Sequence, residues 1–136
     1  MTTFVDTNVL ISIMNPDEDL HSWSLERFQE CQAVGPVIIS DIVYCEFSMG
    51  MATKSEADTA LSQFALERYP GNDEALFRAG VAYKNYRANK GQKLNVLPDF
   101  LIGALAEVVG APLLTADHKD ILKYFPTIKV IAPGVT

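Results

Sequence analysis

Four carboxylates in this 136-residue chain stand where acids are costly. Asp6 follows the apolar pair Phe4-Val5, Glu46 interrupts the run I-V-Y-C-E-F, Asp99 precedes F-L-I-G-A-L-A, and Asp117 follows L-L-T-A. A carboxylate in apolar surroundings is expensive unless it is paired, hydrogen-bonded or bound to metal. If the four meet, a cation must join them, because clustered like charges raise one another's pKa. Hard oxygen ligands with no His or Cys at ligand spacing select Mg²⁺ or Mn²⁺ over zinc. Such ions polarise phosphates and activate water.

Each acid also has a plainer reading. Asp6 can cap a helix that opens near Asn8. Asp99 suits a helix N-terminus, where the dipole favours negative charge. Asp117, with Asp120 three positions later, resembles a capping arrangement, and Glu46 can face solvent. Neither cap nor dipole accounts for an acid in mid-helix, so Glu46 is the hardest to dismiss. His118 reads as a bystander beside a loop and His21 as part of a polar helix face.

Elements that would carry these residues follow from patterning. Strands are expected over residues 2–5, 37–39, 113–115 and 129–131, and helices over 7–14, 17–32, 41–49, 54–67, 73–89, 98–109 and 119–124. Asn15-Pro16, Gly35-Pro36, Pro70-Gly71-Asn72 and Gly110-Ala111-Pro112 punctuate them. Strands separated by helices, with few hairpin signals, predict an α/β fold: a three-layer α/β/α sandwich around a central, mostly parallel sheet. Asp6 and Asp117 then lie at carboxyl ends of strands, where such sheets gather their ligands.

Bulk properties narrow the class. Length and the lack of repeats or linkers suggest one domain over residues 1–136. The start has no signal-peptide pattern, and the most apolar region, 100–114, is interrupted by Glu107 and Pro112, so no membrane association is expected. Cys31 and Cys45 read as reduced core thiols of a cytoplasmic protein. A net charge of −6 argues weakly against nucleic acid, yet the charge is uneven. Residues 1–33 hold six acids against Arg27, whereas Arg78, Lys84, Arg87, Lys90 and Lys93 follow one another with no acid between. That stretch could guide a phosphate backbone, or merely complement a helix dipole.

The order V-D-T-N, D-I-V-Y-C-E-F, L-P-D-F-L-I-G-A-L-A and L-L-T-A-D-H-K-D-I resembles the PIN-domain ribonucleases, most closely the toxins of VapBC-type pairs. The resemblance implies an Mg²⁺-dependent endoribonuclease with Asp6, Glu46, Asp99 and Asp117 on the family's acidic positions and Asn8 and Thr115 on its accompanying polar ones. Asp6 and Asp99 are the first choice as metal ligands. Lys84, Arg87, Lys90 and Lys93, with Arg78 before them, would guide RNA. The resemblance further implies a homodimer and an antitoxin protein that blocks the site. Phe100 is bulkier than the family's usual residue after this acid and would narrow access.

Two other functions compete. A phosphatase with Asp6 as nucleophile would need D-x-D, whereas the chain has Asp6-Thr7-Asn8. A non-catalytic interaction module would have no need of all four acids. No Walker-A or G-x-G-x-x-G loop is present.

Overall fold

The architecture comes from a computed structural model that describes residues 1–93 and 96–135. In chain order it runs β1 (Thr3–Val5), α1 (Thr7–Met14), α2 (His21–Val34), β2 (Val37–Ser40), α3 (Asp41–Ser48), α4 (Lys54–Gln63), β3 (Glu67–Tyr69), α5 (Asp73–Ala88), α6 (Leu97–Val109), β4 (Leu113–Leu114), α7 (Lys119–Tyr124) and β5 (Val130–Ile131). The strands form one sheet in the order β3-β2-β1-β4-β5, and every pairing is parallel. Every residue of β1, β2 and β4 is buried. Because successive strand residues point to opposite faces, both faces must be covered, which is the expected α/β/α sandwich.

β1 is central. Phe4 pairs with Ile38 of β2 on one side and with Leu113 of β4 on the other. The chain leaves β1 toward β2 and returns on its other side at β4, so the gap between β1 and β4 is the sheet's switch point.

Two expected elements differ. Residues 17–20 form a turn, and α2 starts only at His21. The expected helix over 54–67 stops at Gln63, after which Ala65 turns through a positive φ of 52° and Glu67–Tyr69 forms an edge strand. Three polar, largely exposed residues give no alternation to read; pairing with Ile38, Ile39 and Ser40 of β2 makes the strand. Cys45 is also corrected: Cys31 is buried, but Cys45 lies on the exposed side of α3.

α6 carries Asp99 and is fixed by close contact. A Cβ built on Gly103 would lie 2.8 Å from a ring carbon of Phe125, which is itself fully buried. Gly103→Ala should therefore destabilise the protein by about 1–3 kcal/mol through overpacking. Gly80 on α5 has nothing within 4 Å of such a Cβ. Gly80→Ala should be neutral or stabilising by up to about 1 kcal/mol. Urea unfolding of both variants checks the contrast, and equal effects would contradict this account of the α6 contact.

Candidate functional site

The site is built outward from Asp6, which directly follows β1 and is only 3% exposed. The Asp6 backbone N–H donates to Leu114 O at 2.9 Å, so the end of β1 is tied to the end of β4. Asp6 Oδ1 accepts the Thr7 N–H at 2.7 Å, and Oδ2 accepts the Thr115 hydroxyl at 2.8 Å. Asp6 is thus the N-cap of α1, as its plainer reading held, and it is also a buried acid at the switch point. Thr115 Oγ1 also lies 3.0 Å from Asp117 O. A hydroxyl has one proton, and the shorter, charge-assisted bond to the carboxylate is the stronger use of it.

Thr7 links the next acid. Its hydroxyl donates to Glu46 Oε1 at 2.8 Å, bridging α1 and α3. Glu46 is therefore half-buried and turned toward α1 rather than toward open solvent. Thr7 has no role assigned from sequence, although a hydroxyl one residue after a strand-ending acid is a usable signal. Asn8 Oδ1 accepts the Ala116 N–H at 3.1 Å and so fastens the loop after β4. Thr115 is fully buried. The two accompanying polar residues thus both help to hold the site together, Asn8 through the loop after β4 and Thr115 through Asp6.

Asp117 is exposed, and its Oδ1 accepts the Lys119 N–H at 3.3 Å. Its neighbour Asp120 does not complete a cap; it takes the Lys93 ammonium at 2.8 Å. His118 adjoins Asp117 at the start of α7, and His21 Nδ1 donates to Ser12 O at 2.8 Å, tying α2 to α1 rather than lying on a free polar face.

The acids feel one another. Burial pushes the Asp6 carboxyl above the usual carboxylate range, Thr115 and Thr7 pull it back, and Glu46 and Asp117 push it up again. Asp99 is half-buried at the first turn of α6 and is pushed up to about 6, first by burial and then by the charges of Asp6, Glu46, Asp117 and Asp120. Among the described residues, no ion pair involves Asp6, Glu46, Asp99 or Asp117. The four acids therefore share one electrostatic neighbourhood in which, among the described residues, no basic side chain is in ion-pair contact with them.

They do not form a closed cage. Among the described residues, no three His, Cys, Asp or Glu side chains stand close enough to grip one ion unaided. Mg²⁺ asks for less, since one or two carboxylates with waters suffice. Asp6 still has lone pairs beyond the two it commits to Thr7 and Thr115. The all-oxygen donor set thus fits a hard divalent ion.

The basic stretch divides. Arg78 does not guide anything at the surface: Nε donates to Glu107 at 2.6 Å, Nη2 to Tyr124 O at 2.7 Å, and the guanidinium lies 4.6 Å over the Phe125 ring. Lys84, Arg87 and Lys90 are exposed, and Arg87 approaches the Tyr83 hydroxyl at 3.5 Å. Lys93 is held by Asp120. Phe100 does not narrow access either. It is fully buried in an aromatic cluster with Tyr86, Tyr124 and Phe125, at 5.5, 5.2 and 5.8 Å between ring centroids.

The PIN domain family model matches residues 3–124. The chain belongs to the PIN domain family. Its fold is also that of solved toxin–antitoxin components. VapBC2 of Rickettsia felis, bound to a promoter DNA fragment, matches at 23% identity and a TM-score of 0.72, covering 97% of this chain and 98% of that one. VapBC-1 of nontypeable Haemophilus influenzae matches at 18% identity and a TM-score of 0.73, with the same coverage. Mycobacterium tuberculosis VapC20, described as a toxin cleaving the sarcin–ricin loop, matches at 15% identity and a TM-score of 0.59 over 87% of this chain and 92% of that one. No curated protein sequence matches this PIN domain.

The raised Asp99 gives a signed expectation. Below its ordinary value of 3.8 both folded and unfolded chains hold the proton, and no penalty exists. Between 3.8 and about 6 the unfolded chain releases it first, so native stability falls as pH rises, and the penalty is complete above about 6. Solvent screens part of it, because Asp99 is only half-buried. In chelator-containing buffer at neutral pH, Asp99→Asn should raise Tm by roughly 3–5 °C, the shift that about 1 kcal/mol produces in a domain of this size. The gain should vanish near pH 4; a gain independent of pH would remove charge repulsion as its cause.

Proposed function

We propose that this PIN domain is an Mg²⁺-dependent endoribonuclease, the toxin of a type II toxin–antitoxin pair, acting in the cytoplasm. The observation that carries the reading is the un-neutralised acid group of Asp6, Glu46, Asp99 and Asp117 around the β1–β4 switch point of a PIN fold. The likeness in fold to VapC20 supports RNA as the substrate class, and the likeness to the VapBC complexes supports an antitoxin partner. Pairing of two copies is supported by an apolar stripe on α5, where Leu76, Phe77 and Val81 are exposed.

Asp6 and Asp99 would hold the ion, with Glu46 and Asp117 as further ligands or as partners of its waters; Mn²⁺ could replace Mg²⁺. When bound, the ion supplies charge stabilisation at the phosphate and lowers the pKa of water. Thr115 and Thr7 keep the Asp6 carboxylate in one orientation. Glu46, steadied by Thr7, keeps lone pairs free to orient the attacking water and take its proton. Water oxygen bonds to phosphorus as the bond to O3′ breaks, leaving a 5′-phosphate and a 3′-hydroxyl.

A phosphatase reading has less support. Asn8, the residue in place of the second acid of D-x-D, is committed through Oδ1 to the Ala116 N–H.

Asp6→Asn and Asp99→Asn should each lower RNA cleavage by about 10²-fold or more, as loss of other electrostatic stabilisers does. Cleavage within a few-fold of the unaltered protein in both variants would remove the assignment. A phosphomonoester should not be turned over. Mg²⁺ should also raise Tm by mass action, by about 2.7 kcal/mol of added stability at a hundredfold excess over Kd. Coincident melting curves in chelator and in millimolar Mg²⁺ would argue against ion binding by the free protein.

A further inference from the structure

Lys93 is an exposed lysine whose two ends are both fixed. Its backbone N–H donates to the Tyr86 hydroxyl at 2.8 Å, and Tyr86 packs against Phe100, the residue after Asp99. Its ammonium meets Asp120 Oδ2 at 2.8 Å, across from the loop that leads into α6 to the first turn of α7. The Asp120 side chain is 28% exposed and that of Lys93 66%, so the pair lies at the edge of the protein with one face to water.

The pair borders the acidic centre. Asp120 stands in the first turn of α7, three residues after Asp117, and Tyr86, which receives the Lys93 backbone N–H, packs against Phe100 beside Asp99. Elsewhere in the basic stretch, Arg78 is committed to Glu107 and the Tyr124 carbonyl, and among the described residues Lys84 and Lys90 form no ion pair. An RNA strand approaching four carboxylates needs a fixed cation at their rim. A lysine without a partner of its own would be free to move toward Asp117, three residues before Asp120, and neutralise an acid the reaction requires. Asp120 prevents that by giving Lys93 a partner outside the four.

We propose that Asp120 is a positioning residue that holds the Lys93 ammonium at the rim of the acidic centre, where it receives a phosphate of the RNA backbone. This rests on the nuclease reading and adds a residue to it. A lysine fixed at both ends gives up less conformational freedom when the phosphate arrives.

The test is binding of a labelled, mixed-sequence single-stranded oligoribonucleotide across a salt series, with Ca²⁺ replacing Mg²⁺ to hold cleavage off. Lys93→Met should weaken binding and lower the slope of log affinity against log salt by about 0.7. Asp120→Asn should do the same, although it removes a negative charge, and the double variant should be no worse than Lys93→Met alone. Lys93→Arg should retain most of the slope. In Mg²⁺, both single variants should raise KM severalfold and leave kcat unchanged. Tighter or unchanged binding by Asp120→Asn, or additive effects in the double variant, would overturn the proposal and leave Asp120 as a simple like charge. Lost kcat at unchanged KM would overturn it too. If Asp120→Asn melts early, Lys93→Met and Lys93→Arg carry the test. An unaltered protein that neither binds nor cleaves RNA would overturn the nuclease reading itself, which is distinct from RNA binding that ignores Lys93.

Discussion

The structure depends on keeping one carboxylate, that of Asp6, buried and in place. Burying an ion costs several kcal/mol after relaxation. The Thr7 N–H and the Thr115 hydroxyl return part of this, about 1.5–3 kcal/mol for each hydrogen bond to a charged group. The rest of the architecture serves those two donors. Thr115 reaches Asp6 only because β4 lies directly beside β1, and Thr7 arrives because a helix starts at once after the strand.

From this anchor the other acids are placed by packing. Glu46 comes in on α3 through the Thr7 hydroxyl. Asp99 is carried by α6, whose orientation is set by Phe100 among its aromatic neighbours and by the close approach of Gly103 to Phe125. Asp117 is held by backbone, its N–H lying 3.2 Å from Thr115 Oγ1. Side chains that hold the site outnumber those that would act in it. That division is expected where like charges must be kept near one another against their repulsion.

The basic stretch shows how the same residue type takes different work from its surroundings. Arg78 and Lys93 occur in one run with no acid between them. Arg78 is turned inward to join α5 to α6 and α7, with its guanidinium fork shared between a carboxylate and a carbonyl. Lys93 instead pairs with Asp120 of α7 at the surface. Nothing in their spacing separates the two roles, because the partners, Glu107 and Asp120, lie 29 and 27 residues away in the chain.

The sequence by itself determined the α/β class and the order of the four acids along the chain. Burial on both faces writes continuous apolar runs into β1, β2 and β4, and an acid that ends or interrupts such a run is conspicuous. Only the tertiary structure decided the rest. Glu67–Tyr69 is a strand because β2 offers an unpaired edge, a fact absent from its own polar residues. Thr115 and Asn8 turned inward because the ends of β1 and β4 meet, 109 and 108 residues apart in the chain for the bonds concerned. Phe100 left the site's mouth for the aromatic core, and Cys45 faced solvent while Cys31 did not, since helical periodicity at one residue does not say which face packs. Local pattern records whether a residue is costly to expose. Which partner relieves that cost is a property of the chain brought together.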